Sequence, residues 1–279
     1  MSLYSMKELL DDAKAGKYAV GYYNGVNMEM IRACIRAAED MRSPIIMGTA
    51  EALLKFSDFD WIAPMLLDAA RNASVPVAIH LDHAYSFDII MKALRWGFGS
   101  VMFDGSILPV DRNIEICADI SRIAHAMCAG VEGELGKVGG LAEGEGVVGE
   151  NHLTEVDEAA GFIEKTNVDF LAISIGTTHG VYKEAPKLDL GRLAEIRSKV
   201  EIPLVLHGGS GLTNEDFHAC IAGGIQKINI FTDVVTAASK AICKTAEKLD
   251  YIELLKATED AIYEVVVDKI NTFGSRNKA

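Results

Sequence analysis

The chain predicts a (β/α)8 barrel, and three observations carry that prediction. Strand-like apolar runs alternate with helical patterns along the 279 residues, the order expected of a parallel sheet wound with helices. The runs are almost continuously apolar, as strands covered on both faces are. Ionisable residues collect where the runs end, the side on which barrels build their sites.

A first helix is expected over MKELLDDAKAG, with Ser5 as N-cap and Gly16 as the stop. Strands follow at AVGYYN (19–24), PIIMGT (44–49), PVAIHLD (76–82), SVMFD (100–104), GVEGEL (130–135), DFLAISI (169–175), PLVLHG (203–208) and KINIF (227–231). The intervening helical patterns include MEMIRACIRAAEDM, FDIIMKALRWG, NIEICADISRIAHAM, TEVDEAAGFIEKT, LGRLAEIRSKV and NEDFHACIAGG. Two more, from Val234 to Phe273, suit closure of the barrel bottom or a dimer contact. A doubly wound open sheet is the runner-up. Its sites gather at one switch point, whereas the candidates here spread from the third strand to the eighth. The reading is one domain over residues 1–279.

Hydrophobic residues make up 49% and charged residues 24%, the balance of a globular protein with a large core. The charge, 27 − 40 = −13, argues against nucleic acid or an anionic membrane as partner. The five cysteines have no CxxC spacing and read as buried free thiols of a reducing compartment. With no signal pattern and no bilayer-length apolar run, the expectation is a cytoplasmic protein without a membrane partner.

Asp82 and His83 end the third strand, Asp104 the fourth and Glu134 the fifth; His179 follows the sixth, His207 ends the seventh and Asn229 lies on the eighth. A lone strand-end Asp usually caps a helix and a lone His satisfies a core hydrogen bond; a rim carrying all of these is hard to explain so. Three neutral imidazoles at three strand ends can share one ion and leave a position open for substrate, the pattern of catalytic zinc. His80, on the same face as Asp82, is read either as support for that site or as a core histidine. His125, His152 and His218 are read as facing solvent or neighbours.

Two glycine-rich segments differ. GGSG (208–211) leads into a helix near Thr213 and Asn214, and glycine-turn amides there suit phosphate. INIFTD (228–233) can add Thr232 to the same phosphate, after the strands where barrels often hold one. The other segment has eight glycines between Gly130 and Gly149, with Glu143, Glu145 and Glu150 interspersed. It reads as unable to form a stable helix or strand after Glu134. It is either a surface loop or a lid that brings a carboxylate to the substrate.

HLDH (80–83), SVMFDGSILP (100–109), VEGELGKVGG (131–140), SIGTTHGVYKEAPKLD (174–189) and IPLVLHGGSG (202–211) resemble the metal-dependent class II ketose-bisphosphate aldolases. The likeness runs over nearly the whole chain, with motifs in the same order. It implies zinc-dependent, reversible aldol cleavage of a phosphorylated ketose, yielding dihydroxyacetone phosphate and an aldehyde, on a barrel in a homodimer or homotetramer. By that resemblance His83, His179 and His207 are the zinc ligands, and Asp82 is the acid/base for the C4 hydroxyl. Asp104 and Glu134 match carboxylates that hold a displaced or second divalent metal. Asn229 matches the residue that steadies the enediolate. Gly208, Gly209, Ser210 and Thr232 match the phosphate anchor, Gly180 lends backbone to phosphate or a monovalent cation, and Asn24 matches a polar residue ending the first strand.

Two departures stand out. The lid reads GGLAEGEG, so Glu143 lacks the acidic neighbour usual in the family, and the role can fall on Glu145 instead. Phe231 stands where fructose-specific members have an acidic residue. A hydroxyl buried unpaired against it would cost roughly 1–3 kcal/mol, which favours tagatose bisphosphate or another ketose over fructose 1,6-bisphosphate. Thr49 or Ala50 occupies the place of a phosphate-contacting serine. The competing classes are a metal-dependent hydrolase or epimerase, a non-catalytic sugar-phosphate sensor, and a Schiff-base aldolase. The last would use Lys227, whose neighbours predict an outward side chain.

Overall fold

The computed structural model describes residues 3–141, 148–149, 151–182, 184 and 186–279. In chain order its strands are β1 (Val20–Asn24), β2 (Ile45–Ala50), β3 (Val77–Ala84), β4 (Ser100–Phe103), β5 (Gly130–Leu135), β6 (Gly139–Leu141), β7 (Val148–Gly149), β8 (Phe170–Ile173), β9 (Thr178–His179), β10 (Leu204–Leu206) and β11 (Ile225–Asn229). The helices are α1 (Met6–Gly16), α2 (Met28–Met41), α3 (Phe59–Asn72), α4 (Phe87–Trp96), α5 (Val110–Ala126), α6 (Val156–Thr166), α7 (Leu190–Lys199), α8 (Asn214–Ala222), α9 (Thr232–Thr245) and α10 (Tyr251–Phe273).

Eight of the strands close a parallel barrel in the order β1-β11-β10-β8-β5-β4-β3-β2. Every residue of β1 to β4 is buried, which is why these runs read as continuous rather than alternating. The helices cover the outer face in one domain, and their apolar stripes meet the outward side chains of the strands in one large core. α3 has no counterpart among the expected helices, because Pro64 inside it interrupts the pattern.

A second, smaller core lies inside the barrel. Met6, Leu9, Leu10 and Ala13 of α1 pack with Val20, Ala78, Phe170 and Val205 from the strands. α1 therefore closes the bottom of the barrel. The expectation that the C-terminal helices do so is corrected: α10 packs on α2 and α9 in the outer ring. Ser5 does cap α1 through a capping box with Glu8, but Lys17, not Gly16, takes the left-handed stop position at φ 53°.

The glycine-rich segment is the larger correction. β6 pairs antiparallel with β7 and parallel with β9, in the register Gly140 to His179. Main-chain pairing needs no side chain, and Asn151 reinforces it by accepting from the Gly139 amide at 2.6 Å and donating to the Thr177 carbonyl at 2.9 Å. Glycine thus forms strand here because a partner strand is already at hand. Glu143, Glu145 and Glu150 lie outside the described residues.

Candidate active site

Asp82 and His83 are consecutive, so a regular strand would send them to opposite faces. The register of β3 on β4 slips between Leu81 and Ala84, and His83 takes a left-handed φ of 39°. That slip is a bulge, which re-aims a side chain at the end of a strand, and a non-glycine residue held at such a φ is costly unless its surroundings insist on it. The result puts both side chains at one rim. His83 meets His207 at 4.5 Å and His179 at 5.0 Å between ring centroids, and the latter two are 6.0 Å apart.

The orientation of two imidazoles is set from behind. Asp104 Oδ2 is 2.9 Å from Nδ1 of His83, so Nε2 faces the centre. Glu132 Oε1 is 2.8 Å from Nε2 of His207, so Nδ1 faces the centre. Asp104 is held in turn by the amide and hydroxyl of Ser106 at 3.1 and 2.7 Å. His179 rides on β9, fixed by its pairing with β6. Tyr182 ties that loop to the next by donating to the Gly208 carbonyl at 2.7 Å and accepting from the Thr178 amide at 3.1 Å.

The electrostatics favour a cation in the middle. Burial disfavours the His83 imidazolium, yet Asp82 and Asp104 push its pKa well above the usual value. Burial and the neighbouring imidazoles lower His179 to about 3. Burial also opposes charge on Asp82, but His83 and Lys227 outweigh it and hold the carboxyl well below its usual range. The same contest, won by the His83 contact, keeps Asp104 ionised.

Asp82 accepts two hydrogen bonds from the Asn229 amide, at 2.9 and 3.1 Å, and its Oδ2 is 3.9 Å from Nε2 of His83. Asn24 is buried and accepts from the Tyr22 hydroxyl at 2.7 Å. Gly180 follows His179 with φ 88°. The two loops expected to hold phosphate do meet: Ser210 Oγ accepts from the amides of Phe231 and Asp233, both at 3.2 Å. Thr232 opens α9. α8 begins at Asn214, where the sequence predicts a helix start, and Thr213 caps it with a capping box. The Gly209 amide donates to the Asn229 carbonyl at 3.2 Å. Phe231 departs from its expected place on the strand. The eighth barrel strand ends at Asn229, and Phe231 sits in the cap position of α9 with its ring against the apolar core, not in strand register with Asn229.

In the layer beneath, sequence reasoning missed Glu132 and the direction of Lys227. Lys227 is fully buried and points into the barrel, opposite to its expected direction. Its Nζ is 2.8 Å from Glu132 and 3.6 Å from Asp82. His80 is buried there too, held by Ser100 at 2.9 Å. The signal was present in GVEGEL and IQKIN, where Glu132 and Glu134, or Lys227 and Asn229, are two apart and so share a face.

The buried Nε2 of His83 has no hydrogen-bond partner within the described residues, while Nδ1 of His207 and Oε2 of Glu134 face each other at 3.2 Å. One donor atom from each of His83, His179 and His207 lies within 4.8 Å of the others, and His83, Asp104 and Glu134 form a second such group. Three imidazoles with donor atoms converging on one point, one of them with an unpartnered Nε2, and an adjoining carboxylate fit a catalytic divalent ion of the zinc type. A closed parallel barrel with that rim and a buried Asp beside it has residues that could hold a metal ion at the place where barrel enzymes build their sites.

The comparisons make the reading specific. Residues 4–278 match the family model described as class-II fructose-bisphosphate aldolase. A fructose-bisphosphate aldolase of Geobacillus stearothermophilus is 40% identical over 289 aligned residues, covering 100% of this chain and 99% of that one. The solved structure of the YdjI aldolase from Escherichia coli K12 shares 33% identity and a TM-score of 0.91 over 99% of both chains. A fructose-bisphosphate aldolase from Campylobacter jejuni, 22% identical with a TM-score of 0.84, covers 100% of this chain and 97% of its own and shares the fold. The chain belongs to the class-II fructose-bisphosphate aldolase family. It is an aldolase, a lyase that cleaves a carbon–carbon bond of a ketose bisphosphate.

Proposed function

We propose that the chain cleaves a ketose 1,6-bisphosphate reversibly to dihydroxyacetone phosphate and an aldehyde with the help of Zn2+ held by His83, His179 and His207. The observation that carries this is the convergence of three imidazoles from three strand ends beside one buried carboxylate. Bound there, the ion would act as a Lewis acid for the negative charge left on the ketone fragment. Asp82 takes the proton of the C4 hydroxyl as the bond breaks, the step a positioned carboxylate accelerates. Asn229 orients Asp82 through Nδ2, while its buried Oδ1 keeps acceptor capacity. Asp104 and Glu134 offer a second divalent position next to His83. The Gly208–Gly211 turn and the start of α9 form the phosphate anchor, with Gly180 backing it. There a phosphate oxygen replaces Ser210 Oγ as acceptor for the amides of Phe231 and Asp233. The carboxylate that returns the proton to the ketone fragment comes from Glu143 or Glu145.

Among ketoses we favour tagatose bisphosphate, or another stereoisomer, over fructose 1,6-bisphosphate. Phe231 supplies no acceptor next to the anchor. The chain works as a homodimer or homotetramer. Its free thiols fit a cytoplasmic setting, and among the described residues no helix is long and apolar enough to cross a membrane. A coupled assay across fructose, tagatose and other ketose bisphosphates, with and without chelator, tests the reading. Cleavage that a chelator abolishes and added Zn2+ restores is expected. Cleavage indifferent to chelator contradicts it.

A further inference from the structure

The layer under the rim is ionic, where barrel interiors are usually filled by branched apolar side chains. The Lys227 ammonium sits between two carboxylates, at 2.8 Å from Glu132 Oε2 and 3.6 Å from Asp82 Oδ1, and 4.7 Å from the Tyr22 ring centroid. His80 Nε2 completes the cluster at 3.5 Å from Glu132 and 3.6 Å from Asp82. Donors of His80, Asp82 and Glu132 lie close enough together to hold a metal ion; the chain fills that place with its own cation. A buried ion pair is a poor device for stability, since apolar residues of similar volume often do as well or better. Its presence in this layer calls for a use, and both of its carboxylates lead upward to the site. Glu132 meets His207 through its other oxygen, and Asp82 meets Asn229.

We propose that Lys227 is a positioning residue for the aldol reaction, holding Glu132 against His207 and Asp82 against the reacting hydroxyl. It touches no substrate atom, being one layer below the rim. Without the ammonium, two buried carboxylates face each other with no cation between them. Repulsion then parts them, turning Glu132 away from the His207 ring and Asp82 away from Asn229. Partners behind a ligating imidazole typically govern metal affinity by 10–100-fold.

The proposal rests on the zinc reading above, and its test separates the two. In the full chain, K227M is compared with native protein, and E132Q/K227M with E132Q. The second pair leaves one buried carboxylate, Asp82, without the lysine instead of two facing each other, so a folded comparison that isolates the Asp82 contact exists even where K227M fails to fold. Zinc affinity is read by competition with a chelator, and kcat and KM at saturating zinc. We expect kcat to fall about tenfold or more in each comparison while KM stays within about threefold, because Lys227 acts through the carboxylates and not on the substrate. K227M should also bind zinc at least tenfold more weakly. If either comparison leaves kcat within about threefold of its parent, or folded K227M binds zinc as native protein does, Lys227 only balances charge and the proposal is overturned. Native protein that binds no zinc would instead sink the zinc reading.

Discussion

Asp82 is ionised, buried and braced by Asn229, so replacing its charge should silence chemistry without dismantling the site. Asp82→Asn should lower kcat on the order of 10²–10⁴-fold while zinc content stays at that of native protein, measured by turnover and metal analysis of one sample. The thiols give a residue-scale check of the core. Burial pushes Cys117 and Cys220 up to about 12 and Cys34 higher still, whereas Cys128 and Cys243 are exposed. An alkylating reagent counted by mass spectrometry should therefore label two thiols on the native chain and five after unfolding. The exposed pair also corrects the expectation that all five thiols are buried. His83, His179 and His207 were legible in the sequence because a histidine ending an apolar run is uncommon and three of them compound. Glu132 and Lys227 were signalled only by their two-residue spacing from Glu134 and Asn229, because in a strand buried on both faces apolar neighbours do not say which side chains point inward.

At the scale of elements, the glycine turn after β10 is fixed by close backbone approach. Gly208 has φ 65°, and a Cβ there would stand 2.5 Å from the Thr178 carbonyl oxygen. Only glycine lets the β10 turn approach the strand that carries His179. Gly208→Ala should weaken zinc binding at least tenfold while far-ultraviolet circular dichroism stays native, since the displacement is local to one ligand. Phe231 belongs to the start of α9 and not to the strand, a boundary that the apolar run KINIF conceals. Its position beside Ser210 keeps it at the anchor. Phe231→Asp should raise kcat/KM for fructose 1,6-bisphosphate relative to the preferred ketose. An unchanged ratio would remove Phe231 from the specificity account. The pairing of β6 with β7 was illegible for another reason: it is supported by β9, whose Thr178 pairs with Gly139, 178 − 139 = 39 positions earlier.

The whole molecule was the most legible level. Alternation of buried strands with amphipathic helices specifies a barrel regardless of where each element ends. The part that escaped was the plug, because α1 and the C-terminal helices carry the same helical periodicity, and only three-dimensional closure decides which one enters the barrel mouth. With a net charge of −13 the chain does not draw an anionic sugar phosphate by its overall field. Affinity must come from the rim, where three strand ends bring the imidazoles together. The most direct test is to titrate Zn2+ into metal-stripped protein while following both bound metal and cleavage of the preferred ketose bisphosphate. One ion per chain at the three histidines should restore cleavage in step with occupancy, and alanine at His83, His179 or His207 should lose both. Full cleavage by the stripped native protein would contradict the account.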